Sequence, residues 1–354
     1  MTAMPQALST RFLFVAGMTL LLFLAGIVLL PGIGAYADEV NAQSKPDVLG
    51  LAAVDESQEA VPAVTHNTWT SGAPIPTAVA PAGGTALLKN EIYVVGGCVG
   101  NDIIADTQIY NPVTDAWSAG VPLPSPVCDG VAATVKNVLY VIGGGSSPGT
   151  CSNDVYAFNP KTKTWTSKSA MPTARCSMGV AVVNNIIYVA GGNVGDSRMT
   201  VVESYNPATD TWTEEAPLLV GKSEPTLGVV AKKIIAADGY TTSGDTGDNE
   251  EYNPATKAWT NLASDPTPRN TACGGGKGSS LYVAGGYPGG GPGTPALNLT
   301  ESFQLSKNKW ATLAPMPQAA MFAGSAVYKG RLYCISGSAT FQGSALNNVQ
   351  IYQP

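Results

Sequence analysis

The chain has 354 residues, 40 of them glycine and 26 proline, and only 12% carry charge. That profile favours short strands and tight turns over helices, and a formal net charge of −6 argues against nucleic acid as a partner, since phosphate binding needs a basic stripe. The lone histidine, His66, is the one imidazole open to a Ser-His-Asp, Cys-His or imidazole-rich metal site; it lies in a Thr-rich stretch that reads as exposed linker, so no catalytic residue, metal or cofactor is assigned.

Taken in chain order, Arg11 precedes an uncharged apolar run over residues 12–30, followed by Pro31-Gly32 and by Ala35-Tyr36-Ala37 ahead of Asp38-Glu39. This is the order of a secretory signal. The run would span roughly 28 Å as a helix, so residues 1–37 read as a signal peptide or, uncleaved, a signal anchor. Either way the rest of the chain is expected outside the cytoplasm, secreted or tethered to the membrane by that helix alone. Residues 38–64 show no sustained periodicity and read as a flexible stalk.

From residue 65 to 354 the chain repeats. The six tryptophans, Trp69, Trp117, Trp165, Trp212, Trp259 and Trp310, are separated by 48, 48, 47, 47 and 51 residues. A glycine marker keeps the same beat at Gly96-Gly97, Gly143-Gly144, Gly191-Gly192, Asp238-Gly239, Gly285-Gly286 and Ser336-Gly337. A third, aromatic marker comes between them: Tyr110, Phe158, Tyr205, Tyr252, Phe303 and Tyr352. Each unit reads as four strands. In the third these are 179–183, a turn at Asn184-Asn185, 186–190 closed by Gly191-Gly192, 201–205, a turn at 206–210, and a strand beginning at 211–213. Four-stranded units at this period predict a β-propeller. The chain ends just before a sixth Trp strand is due, and Trp69 has no preceding unit. The sixth blade is therefore closed by the N-terminal Trp69 strand, giving six blades in an all-β ring without open edges.

The Gly pair after an apolar strand, followed by Tyr and Trp at these offsets, resembles the kelch repeat over residues 65–354. That resemblance implies a six-bladed kelch-type propeller in which the Gly pair, the Tyr and the Trp pack between blades. Three departures are local: Asp238 in the fourth glycine marker, Ser336 in the sixth, and "CGGGKGSS" (273–280) where an apolar inner strand is expected. The Gly pairs have strands on both sides, so they are scaffolding and not phosphate loops.

In such a ring the loops after the Gly pairs and the lead-ins to the inner strands share one face. Sixteen residues before each glycine marker stand Ala80, Val127, Arg175, Lys222, Arg269 and Ala320; two positions later come Ala82, Asp129, Ser177, Glu224, Thr271 and Phe322. Asp129, Arg175, Lys222, Glu224 and Arg269 are thus candidate ligand-binding residues around a mouth, with Asp196 and Arg198 in the loop after Gly192. The competing reading makes the arginines structural ion-pair partners between blades. Glu203, Glu250 and Glu301 recur at one blade position, beside Gln108, Tyr156 and Gln350, which suggests a repeated structural contact. The acidic loop 243–251 lacks EF-hand spacing and reads as a solvated turn. Cys98 and Cys151 follow Gly pairs and Cys128 and Cys176 begin the next blades, so disulfides Cys98–Cys128 and Cys151–Cys176 are expected. Cys273 and Cys334 fall in strands of different blades and are left unpaired.

A monomeric, exported binding module, presenting its loop face to a protein or glycan, needs no catalytic residue and is the function these features favour. The alternative, drawn from the likeness to exported six-bladed kelch proteins that include sialic-acid mutarotases, is a sugar-acid mutarotase or epimerase. It would use Glu224 as acid–base and Arg175 and Arg269 as an anion clamp.

Overall fold

In a computed structural model of the chain, residues 66–80 and 83–354 are described. The expected signal or anchor and the whole of the expected stalk lie outside them, as does Ala82. The described residues form six antiparallel four-stranded sheets. Blade I comprises Gly84–Leu88, Glu91–Val99, Asp102–Asn111 and Ala116–Ala119; blade II, Val131–Val135, Val138–Ile142, Val155–Asn159 and Thr164–Ser167. Blade III is Gly179–Val183, Ile186–Ala190, Val202–Asn206 and Thr211–Glu214; blade IV, Thr226–Val230, Lys233–Ala237, Asn249–Asn253 and Ala258–Leu262. Blade V is Cys273–Lys277, Ser280–Ala284, Thr300–Gln304 and Lys309–Thr312. Blade VI takes Gly324–Tyr328, Arg331–Ile335 and Val349–Gln353 from the end of the chain and Thr68–Gly72 from its start.

That closure is in register: Trp69 lies opposite Tyr352 and Gly72 opposite Val349. His66 Nδ1–H donates to the carbonyl of Pro354 at 2.8 Å, a further link between the lead-in to the Trp69 strand and the Val349–Gln353 strand it closes on. Every blade repeats the aromatic cross-strand pair, from Tyr110–Trp117 at 5.1 Å between ring centroids to Phe303–Trp310 at 5.3 Å. The aromatic of the third strand is buried and contributes its area to the core. The Trp lies further out and ties its blade to the one before. Its indole N–H donates to a backbone carbonyl there: Trp117 to Ala73, Trp165 to Val121, Trp212 to Ser169, Trp259 to Ala216, Trp310 to Ala263 and Trp69 to Ala314. All six tryptophans make this tie between blades, which accounts for their place in the repeat.

The glycine pair is a second tie. The N–H of the second member donates to the lead-in carbonyl of the next blade, as Gly97 to Val127 at 2.7 Å and Gly192 to Lys222 at 2.9 Å. The first member sits at positive φ, and a Cβ on Gly191 would stand 2.4 Å from the Lys222 carbonyl oxygen; glycine permits both. Asp238 and Ser336 occupy the same left-handed conformation, at φ 61° and 62°. The glycine run of blade V forms a regular first strand, paired from Cys273–Ala284 to Lys277–Ser280. Its glycines allow the inner strands of blades IV and V to approach: a Cβ on Gly276 would lie 2.2 Å from the Val229 carbonyl oxygen.

Three disulfides are present. Cys98–Cys128 and Cys151–Cys176 join loop to lead-in at two successive blade boundaries. The third corrects the expectation from sequence: Cys273 and Cys334 are bonded, with Cα atoms 5.7 Å apart. Blades stack face to face, so the first strand of blade V packs on the second strand of blade VI, and both cysteines lie in the buried layer between them. Membership of different sheets does not separate them.

Candidate functional site

Lead-ins and loops meet on one face, joined by isolated bridges at Cys128–Gly145, Cys176–Asn193, Ser223–Tyr240, Asn270–Tyr287 and Met321–Ser338. On that face the two lead-in positions singled out from sequence have opposite fates.

The first position turns inward. Arg175, Lys222 and Arg269 are wholly buried, each beside the recurrent glutamate of its own blade's third strand. Arg175 lies 3.1 Å from Glu203 and Lys222 lies 2.9 Å from Glu250. Arg269 pairs with Glu301 and, at 3.5 Å, with Asp265. A cation taken out of water needs such a partner, and the pairs run within blades, not between them. These three residues therefore do not face the mouth, which corrects the sequence-based assignment. In the remaining blades both members are neutral. Val127 and Tyr156 share an apolar cluster. Gln350 accepts from the N–H of Gln318 at 2.8 Å and donates to its carbonyl at 2.9 Å. Gln108 does the same with Thr77, at 2.7 and 2.9 Å. Its lead-in partner is Val79, not Ala80: Val79 supplies the carbonyl for Gly337, while Ala80 N–H bonds the Cys98 carbonyl as Cys128 N–H bonds that of Gly145. Blade I thus carries one extra residue before its inner strand. A cation at the lead-in goes with glutamate and a neutral residue with a neutral one; that covariation along the repeat was the signal available in sequence.

The second position turns to the channel. Asp129, Ser177, Glu224, Thr271 and Phe322 all adopt left-handed backbone, with φ between 54° and 58°. The N–H of Ser177 donates to the Asp129 carbonyl at 2.8 Å and that of Glu224 to the Ser177 carbonyl at 2.6 Å. Non-glycine residues in this conformation are uncommon and mark an over-determined site. All five line one central cavity of about 380 Å³ enclosed by the first strands. Burial pushes the Asp129 carboxyl up to about 6. Burial, and next the Asp129 charge, push Glu224 up to about 8, against the opposing pull of Arg198. Both carboxyls are thus shifted towards the protonated form, Glu224 further than Asp129, which gives one rim groups that can donate as well as accept. Phe322 is the aromatic residue of the rim; behind it Phe341 lies 6.5 Å from Phe322 and stacks at 4.9 Å on the buried Tyr287.

Arg198 and Asp196 belong to a short hairpin of blade III, Asn193–Val194 with Ser197–Arg198. Asp196 is exposed near its tip. The Arg198 guanidinium lies 5.0 Å from the Tyr240 ring centroid and donates to the Gly195 carbonyl at 3.1 Å. In the acidic loop 243–251 the side chains are dispersed: Asp245 accepts from Asn270, Glu250 binds Lys222 and Glu251 binds Lys233.

A family model described as the KLHDC2/KLHL20/DRC7 Kelch-repeats domain matches residues 84–265, just over half of the chain. Among solved structures, "Structure of YjhT" aligns with a TM-score of 0.68 at 18% identity, covering 79% of this chain and 96% of that one. At that identity the likeness is one of fold. No curated protein sequence matches the chain.

Proposed function

This chain belongs to the kelch-repeat family, and from that premise we propose that its propeller is a binding module whose channel mouth takes a neutral, hydroxyl-rich ligand such as the end of a glycan. The observation that carries the reading is the rim itself. Asp129 and Glu224 are held by left-handed backbone in one cavity, with protonation states drawn apart. A carboxylate accepts and a carboxylic acid also donates, which suits the hydroxyls of a sugar, and Phe322 on the same rim offers apolar area for its ring. The cations once available for an anion clamp are neutralised inside the blades, which favours an uncharged ligand. The apolar N-terminal run and three disulfides suit an oxidising compartment outside the cytoplasm, and a glycan is a ligand that such a location would offer.

Calorimetric titration at pH 7 with glucose, galactose, mannose and N-acetylglucosamine tests the reading. At least one is expected to bind. Asp129→Ala and Glu224→Ala are each expected to weaken it about tenfold, the equivalent of roughly 1.4 kcal/mol for a lost hydrogen bond. Binding by none, or binding indifferent to both changes, contradicts it. A second reading draws on the same pair: two carboxyls with separated pKa values could act as acid and base in sugar ring opening. Faster anomer exchange in NMR spectra of N-acetylneuraminic acid or a neutral sugar on adding the protein, lost in Glu224→Ala, would select it.

A further inference from the structure

A second cavity, of about 450 Å³, lies over blades I to III. Asp129 and Ser177 line both cavities, so the two adjoin at these residues. Its walls are the loops after the glycine markers of blades I, II and III, and all four cysteines of the two loop disulfides face it. The third disulfide lies in the core between strands; these two instead fix loops. The Cys98–Cys128 bond holds the blade I loop to the lead-in of blade II, and Cys151–Cys176 holds the blade II loop to the lead-in of blade III. Such loops would otherwise lose conformational freedom on binding, and fixing them in advance removes that cost.

The groove combines apolar wall, from Ile103, Pro148 and the disulfides, with polar groups. Asn101, Ser147, Thr150, Ser177 and Asn193 supply hydroxyls and amides, and its charged side chains are the carboxylates of Asp129 and Asp196. Gly100, Gly149 and Gly195, one per loop, sit at positive φ, and a Cβ on any of them would meet nothing within 4 Å. These glycines serve the turn and leave bare backbone along the wall. Hydroxyls, amides and open backbone without cations suit an uncharged chain of hydroxyl groups and repel a polyanion.

We propose that this groove is the continuation of the mouth, and that it holds the second and later residues of a neutral oligosaccharide whose terminal residue occupies the channel. The assignment rests on the mouth reading above and adds to it a length requirement and a location. The probes are glucose, galactose, mannose and N-acetylglucosamine with their neutral oligomers of two to six units, titrated into the intact protein. Trisaccharides of the sugar that binds are expected to bind tenfold or more tighter than the monosaccharide, with no further gain once the groove is filled. Asn101→Trp on one wall and Ser147→Trp on another are each expected to remove that gain, leaving the trisaccharide within about twofold of the monosaccharide, whose own affinity stays unchanged. If the monosaccharide binds but lengthening it adds nothing, or both tryptophan variants keep the gain, the groove is not the continuation while the mouth reading stands. If no sugar of any length binds, both fall together.

Discussion

Arg175→Val is expected to lower the unfolding free energy by about 3–5 kcal/mol, because it leaves Glu203 buried without its cation. For a domain of this size that corresponds to a fall in Tm on the order of 10 °C, read by calorimetry or circular dichroism. The guanidinium donates to the Val189 carbonyl at 3.1 Å and lies at the same distance from Glu203, whose other oxygen accepts from Thr173. Blade I shows how the protein itself resolves the same site without charge. There Val79 stands for Arg175, Gln108 for Glu203 and Thr77 for Thr173, and the glutamine makes two hydrogen bonds to the Thr77 backbone. Arg175→Val combined with Glu203→Gln copies blade I into blade III. Most of the lost stability is expected to return, leaving a coupling energy of several kcal/mol in the double-mutant cycle. An arginine held for ligand binding would give a mild single variant and no recovery.

Asp238→Asn is expected to stabilise the protein by about 1–3 kcal/mol at pH 8, the cost of a poorly satisfied buried group, and to change it little at pH 4. Asp238 is wholly buried where the other blades place glycine or serine. Burial and then the neighbouring Asp265 raise its pKa well above the ordinary carboxylate range, against the opposing pull of Arg269 and Lys222. A carboxyl whose folded pKa is raised binds its proton more tightly in the folded state. The stability linked to that proton is fully present below the ordinary value near 4 and is lost as pH rises towards the folded pKa. Asparagine keeps the polar shape, tolerates the φ of 61°, and does not titrate. The wild type should therefore lose stability from pH 4 to pH 8 in urea titrations while the variant runs flatter. Parallel curves for the two proteins would place the pH dependence elsewhere.

The ring was legible because its determinants are local and repeated. Each Trp, aromatic and glycine marker does the same work in every blade, so six weak signals add, and the unpaired strand at Trp69 can only be placed by closing the circle. The loop disulfides were legible for a related reason, since loop and lead-in positions recur on one face. Cys273–Cys334 was not, because it depends on the face-to-face stacking of blades, which strand order along the chain does not display. The charged lead-ins misled for a physical reason too. An arginine next to a loop reads as exposed, and only its pairing with the third-strand glutamate shows that it points inward. Two residues further along each lead-in, Asp129 and Glu224 remain at the mouth. The left-handed backbone shared by all the described residues of that rim has no compositional signature, since Asp, Ser, Glu, Thr and Phe have little in common.

In the proposed division of labour, buried ion pairs hold the blades and the carboxyl rim takes the ligand. The most direct measurement compares sugar binding by calorimetry in two folded proteins, the Arg175→Val/Glu203→Gln double variant and Glu224→Ala. The double variant should bind within about twofold of the wild type, and Glu224→Ala should lose about tenfold. The reverse, binding lost with the interior pair and kept without Glu224, would contradict the claim.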